Sequence, residues 1–231
     1  MNVQSMLAAV PGRSRVASIV GLTIALGAPF VLPLLPGANH QNIGNAGQDA
    51  VIVAFEWAVA LALLAIVLFW ERLPLGSIGF RRLTRRDLPA IAIVFVAMYA
   101  ALVAAATVLH GNAGPGATAA QIAAVPLALR VAMFLTAGFC EELMLRAYTI
   151  ERLGSLTGKL WIGGVVSVVV FTLGHVPRYG FSHELVNVAI IAIALAFLYV
   201  RTRNFWACAT VHAVIDFFGL IVVPALSRGF F

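Results

Sequence analysis

Glu141, Glu142 and Arg146 lie within six residues of one another, in the run Cys140-Glu141-Glu142-Leu143-Met144-Leu145-Arg146. The chain around them is 62% hydrophobic and 10% charged. Carboxylates in such surroundings cost several kcal/mol unless paired, protonated or facing water, and by default they mark function. On an α-helix Glu142 and Arg146, four apart, share a face and can pair. Glu141 is turned about 100° from Glu142. It points away from that partner and is free for chemistry.

Two later runs carry further polar pairs: Phe171-Thr172-Leu173-Gly174-His175 and His212-Ala213-Val214-Ile215-Asp216. Four-residue spacing puts each pair on one helical face. A carboxylate and two imidazoles in a secluded wet cavity can activate water, with Glu141 taking a proton and His175 holding the same water from its other side. His212 and Asp216 then face the oxygen on which negative charge develops. Asp216 donates to that oxygen only while protonated; otherwise it fixes the tautomer of His212. Phe171 packs against the site.

Such groups must be brought to one depth by the helices that carry them. The mean hydropathy of +1.00 and several apolar runs near the roughly 20 residues needed to cross a bilayer predict an all-α, polytopic transmembrane bundle. Seven spans are expected, at about 16–35, 50–70, 88–109, 121–153, 160–175, 186–200 and 204–226. The fourth is bent or divided at Pro126, and a short re-entrant piece near Pro126 or Pro177 would make eight. Residues 1–231 read as a single integral membrane domain, with 121–226 bearing the motifs. A rise of about 1.5 Å per residue sets Glu141, His212 and His175 roughly 18, 12 and 22 Å above the same end of the bundle, close enough to meet.

The net charge of +6 reflects orientation rather than nucleic-acid binding. With the N-terminus inside, twelve of the fifteen Lys and Arg fall on the inner side, Arg178 and Arg228 outside, and Arg130 within a span. The first apolar run carries Pro29, Pro33 and Pro36 and lacks a small-x-small cleavage site, so it reads as a retained span rather than a signal peptide. Cys140 and Cys208 read as packing residues. Glu56 is expected to pair across helices or line a cavity, Arg130 to snorkel, His40, His110 and His183 to lie in loops, and Gly163-Gly164 to permit close helix packing.

The three motifs EExxxR, FxxxH and HxxxD, in this order on successive apolar segments, resemble the CPBP family of intramembrane proteases. That family includes the type II CAAX prenyl endopeptidases and the bacteriocin-processing and immunity proteins. The resemblance covers about Gln121 to Leu226 and implies a helical membrane fold and peptide-bond cleavage within or beside the bilayer. By matching position it assigns water activation to Glu141 and His175, oxyanion stabilisation to His212 and Asp216, and support of the site to Glu142 and Arg146. The departure is Asp216, where the eukaryotic CAAX enzymes carry an amide that donates without being protonated.

No cofactor is expected. Zinc is the sharper alternative for Glu141, His175 and His212, but the sequence has no HExxH and would draw its ligands from three separate helices. The expected partners are a peptide or membrane-protein substrate and the lipid bilayer, which in a prokaryote would be the plasma membrane. An immunity or adaptor protein on the same scaffold is the runner-up. A proton-coupled carrier is a third reading, disfavoured because no duplicated half is visible.

Overall fold

The computed structural model describes residues 12–36, 45–109 and 122–227, and those residues form a helical bundle without strands. Its helices are α1 (Gly12–Val31), α2 (Ala46–Ala65), α3 (Leu88–Leu109), α4 (Leu127–Thr136), α5 (Thr149–Thr157), α6 (Leu160–Gly174), α7 (Val176–Tyr179), α8 (His183–Thr202), α9 (Phe205–Phe217) and α10 (Val223–Ser227). Between α4 and α5 the chain does not break. It winds as a π-helix, Ala137–Tyr148, so that α4, this segment and α5 form one continuous rod. Shorter π-helical turns, Ile66–Trp70 and Phe218–Val222, extend α2 and join α9 to α10.

Among the described residues, six helices are long and apolar enough to cross a bilayer: Arg15–Leu34, Ala46–Trp70, Leu88–Leu109, Leu160–Tyr179, His183–Thr202 and Phe205–Leu226. The protein is therefore a helical membrane protein. The rod from Leu127 to Thr157 is not among the six because it carries Arg130, Glu141, Glu142, Arg146, Glu151 and Arg152. At about 1.5 Å per residue it is nonetheless roughly 45 Å long, more than the ~30 Å of a hydrocarbon core. The lipid-facing surfaces are aliphatic and aromatic, with Ile93, Val96, Ile193 and Phe197 well exposed on α3 and α8. A membrane solvates such side chains as well as a core would, so polar groups are what must be turned inward.

Most of them turn towards the rod. The π segment packs against α1, α2, α6, α8 and α9. Gly138 lets α9 approach, since a Cβ there would lie 2.8 Å from Ala213 Cβ. At Gly163 the neighbour is backbone, for a Cβ there would lie 2.7 Å from Ile150 Cα, whereas a Cβ on Gly164 would meet only Val200 Cγ2, at 3.4 Å. The close packing expected of that pair thus belongs to Gly163. Pro126 does divide the polypeptide, with α4 starting at the next residue. Pro177 opens the four-residue helix α7, too short to cross anything. His183 begins α8 instead of lying in a loop; His40 and His110 fall outside the described residues.

Three carboxylate–arginine pairs tie the arginine-rich end of the bundle together. Glu71, beyond α2, takes a forked contact from Arg152 at 2.6 and 2.9 Å and further hydrogen bonds from Ser18 and Tyr148. Glu151 is paired with Arg203 and accepts from Tyr199. Asp87 accepts from both terminal nitrogens of Arg81, at 2.6 and 3.1 Å, and from Thr84. Arginines read as orientation signals in the sequence are therefore seen here as tethers between helices.

The Asp87 pair has a pH signature. Hydrogen bonds from Arg81 hold the carboxyl at about 2, below its ordinary 3.8. A carboxyl depressed on folding stabilises the protein above its unfolded value and loses that contribution as pH falls through the folded one. Asp87→Asn is thus expected to melt below the wild type near neutrality, with the gap closing between about pH 3.8 and 2. A gap independent of pH across that window would contradict the pairing.

Candidate active site

The π winding alters how the EExxxR motif is presented. Hydrogen bonds from i to i+5 widen the turn, and such segments are frequent at functional sites. Glu142 still reaches Arg146, with Oε1 3.1 Å from the guanidinium and both side chains fully buried. The contact is ionic rather than an aligned hydrogen bond, for the Arg146 nitrogens and Glu142 Oε2 have no hydrogen-bond partner. Phe171 completes the enclosure, its ring centroid 4.2 Å from Arg146 Cζ.

Glu142 also does what the sequence analysis offered to Asp216. Its Oε1 accepts from His212 Nδ1 at 2.8 Å and so sets the imidazole's orientation and tautomer. Asp216 lies one turn further along α9, 3.7 Å from His212 Nε2, too far for a hydrogen bond. Glu141 approaches the same nitrogen at 3.8 Å. His212 thus spans the wall of the site, with Nδ1 anchored behind it and Nε2 turned towards two carboxylates.

His175 is oriented from the other side. Its Nδ1 lies 2.8 Å from the carbonyl oxygen of Phe171. A carbonyl only accepts, so Nδ1 carries the proton and the Nε2 lone pair is left free. This contact is made possible by the end of α6, where the chain leaves Gly174 and turns into α7.

Glu141, His175, His212 and Asp216 line one cavity of about 270 Å³. At about 30 Å³ for a water's share of the liquid, it has room for several water molecules. A second chamber of about 90 Å³ adjoins it, lined mainly by apolar side chains of α1, α2 and the π segment. Ile52, Glu56, Glu141, Phe171, His175 and Arg178 belong to both linings and form the waist between them. All seven residues singled out from the three motifs are therefore gathered here: five line the cavity, Phe171 among them and covering Arg146, and Glu142 and Arg146 are sealed behind.

Other residues come to the site without belonging to a motif. Glu56, buried on α2, takes the second of its two expected roles and lines the cavity. Arg178, which the sequence assigns to an outer connection, lines both chambers, and Tyr179 lines the larger. Glu56 had a signal, a carboxylate within an apolar span; Arg178 had none. Arg130 Nη1 donates to the Leu220 carbonyl at 3.1 Å, in the π turn that follows α9. Cys140 and Cys208 are buried free thiols. Among the described residues, no cluster of three or more His, Cys, Asp or Glu is placed to hold a metal ion.

A helical membrane protein with paired polar motifs around an internal cavity defines a class, and comparison with known proteins narrows it. Residues 123–218 match the protein-family model for type II CAAX prenyl endopeptidase Rce1-like proteins. The segment includes all three motifs but spans less than half of the chain, and over it the chain is similar to these CAAX protease-like proteins. Two curated relatives are from Lactococcus lactis subsp. lactis (strain IL1403). UPF0177 protein YxdF is 32% identical over 90 residues, covering 39% of this chain and 47% of the relative. UPF0177 protein YvdC is 26% identical over 103 residues, covering 45% and 38%. The chain thus matches less than half the length of either relative. No solved structure matches it.

Proposed function

We propose that the protein is an intramembrane endopeptidase of CPBP type, with its N-terminus on the cytoplasmic side and, in a prokaryote, in the plasma membrane. Water in the larger chamber donates one hydrogen to the Glu141 carboxylate and the other to His175 Nε2, leaving an oxygen lone pair for attack. As the new C–O bond forms, the carbonyl π pair moves onto the substrate oxygen and Glu141 keeps the water's proton. Collapse of this intermediate restores the carbonyl, breaks the C–N bond and passes that proton to the leaving amine. Glu142 holds a protonated His212 through Nδ1–H so that its Nε2–H faces the developing negative charge, with Asp216 beside it. Arg146 and Phe171 hold Glu142 in turn.

The observation that carries this reading is the division of labour between adjacent glutamates. One is sealed against Arg146 and His212; the other reaches the cavity. A scaffold that only bound a partner, such as an immunity or adaptor protein, would have no use for a base beside two oriented imidazoles.

The test uses protein reconstituted in liposomes and a random library of hydrophobic peptides, read by mass spectrometry for new termini. Wild-type protein is expected to create new termini at a restricted set of sequences. A library left intact would contradict the peptidase reading and favour the partner-binding one. Because Glu141 and His175 suffice to activate water, cleavage is also expected to persist in strong chelators. Activity abolished by chelation and restored by zinc would replace the glutamate mechanism with a metal one.

A further inference from the structure

The motif residues give the cavity few hydrogen-bond donors. An ionised Asp216 has no N–H or O–H to give, and with Nδ1 of His212 committed to Glu142 the one N–H left is that on Nε2 of the protonated ring. Yet a peptide carbonyl becoming an oxyanion in a poorly solvated site needs donors aimed at it, and these make one of the largest contributions to catalysis. We propose that Arg178 supplies this charge, as a further catalytic residue that contacts the oxyanion at the waist of the cavity.

Several independent features support the assignment. Arg178 lines both chambers together with Glu141 and His175, which puts it at the waist that the two share with the proposed water-activating pair. It forms no ion pair among the described residues, although carboxylates of Glu56, Glu141 and Asp216 share the larger chamber with it. Its Nε is buried without a hydrogen-bond partner. The other two intramembrane arginines are occupied differently: Arg146 is sealed beneath Phe171, and Arg130 is bound to the Leu220 carbonyl.

The short helix α7 fixes the position. Arg178 N–H donates to the His175 carbonyl at 3.1 Å, returning the chain over the site within a single turn. The rings of His175 and Tyr179 lie parallel, 6.1 Å apart, and Arg178 Cζ stands 5.5 Å from the Tyr179 ring. A guanidinium stays charged at any relevant pH and offers a rigid planar fork, so it serves an oxyanion without prior proton transfer. Its charge also offsets the three carboxylates that a substrate carbonyl would meet in this chamber.

This assignment rests on the peptidase reading, so its test begins with the peptide cut best from the library and a phosphinic analogue of that peptide. The tetrahedral phosphinate reproduces the charged oxygen of the intermediate. In Arg178→Gln, kcat is expected to fall by about 10²–10³-fold, the usual loss on removing one oxyanion donor, with KM within about threefold of wild type. Affinity for the phosphinate should fall by the same factor as kcat/KM, and Arg178→Lys should retain more activity than Arg178→Gln. Wild-type protein that cuts nothing in the library removes the peptidase reading and this assignment together. If the wild type cuts, an Arg178→Gln variant with undiminished kcat overturns the assignment alone. A raised KM with kcat intact would also overturn it, making Arg178 an anchor for the substrate. Because Arg178 is only half-buried, Arg178→Lys keeps the charge and checks that any loss in Arg178→Gln is not one of folding.

Discussion

Glu141→Gln is expected to insert and fold like the wild type while peptide cleavage falls by about 10²–10⁴-fold, the usual contribution of a positioned general base. Glutamine keeps the volume and one acceptor oxygen but cannot take the water's proton. The fold should not suffer, because the Glu141 side chain makes no hydrogen bond among the described residues and stands 3.8 Å from His212. Replacing a cavity-facing carboxylate that lacks a close partner should leave the melting temperature equal or higher, the usual exchange between activity and stability at an active site. Cleavage at the wild-type rate would remove Glu141 from the mechanism.

Glu142→Ala is expected to do the opposite to the fold. Glu142 meets Arg146 and His212 with one oxygen, in a region without solvent. Removing it strands a fully buried guanidinium and leaves the His212 ring without its anchor. Breaking a buried pair from one side costs about 3–5 kcal/mol, a large share of the 5–15 kcal/mol by which a domain is typically stable. Melting in detergent should show Glu142→Ala well below wild type and below Glu141→Ala. Glu142→Gln, which keeps an acceptor for His212 and loses only the charge, should fall between them. Coincident melting curves for the two alanine variants would contradict the division of roles.

Those two roles were legible in the sequence, though by an argument the structure revises. The sequence argument separated Glu141 from Glu142 by the angular step of an α-helix, whereas Ala137–Tyr148 is wound as a π-helix. The outcome survives because the tertiary partners choose the face: Arg146 under Phe171 on one side, the cavity on the other. Residue spacing alone cannot reveal such winding, since it depends on how Gly138 and the helices around it pack. The apolar runs located six candidate spans to within a few residues, because a bilayer demands length and hydrophobicity that composition records directly; the expected fourth, 121–153, is not among them.

Contacts between distant positions were not legible. Nothing local to Glu71 points to Arg152, nor anything near Asp87 to the end of α8, where Arg81 also meets the Thr202 carbonyl. Arg178 was misplaced for a related reason. Counted by charge it belongs to a connection, and only the sharp return of α7 after His175 brings it to the cavity. The partnership of His212 was half legible: the HxxxD spacing suggested Asp216, and the bundle gave the hydrogen bond to Glu142 from another helix.

The most direct test is an experimental structure of the protein in a lipid nanodisc at a resolution that shows ordered solvent. The account predicts one ordered water within hydrogen-bond reach of both the Glu141 carboxylate and His175 Nε2, in a chamber continuous with the Arg178 guanidinium. A lipid chain filling that chamber, a metal ion bound by Glu141 and the two histidines, or a Glu141 side chain turned out to the bilayer would contradict it.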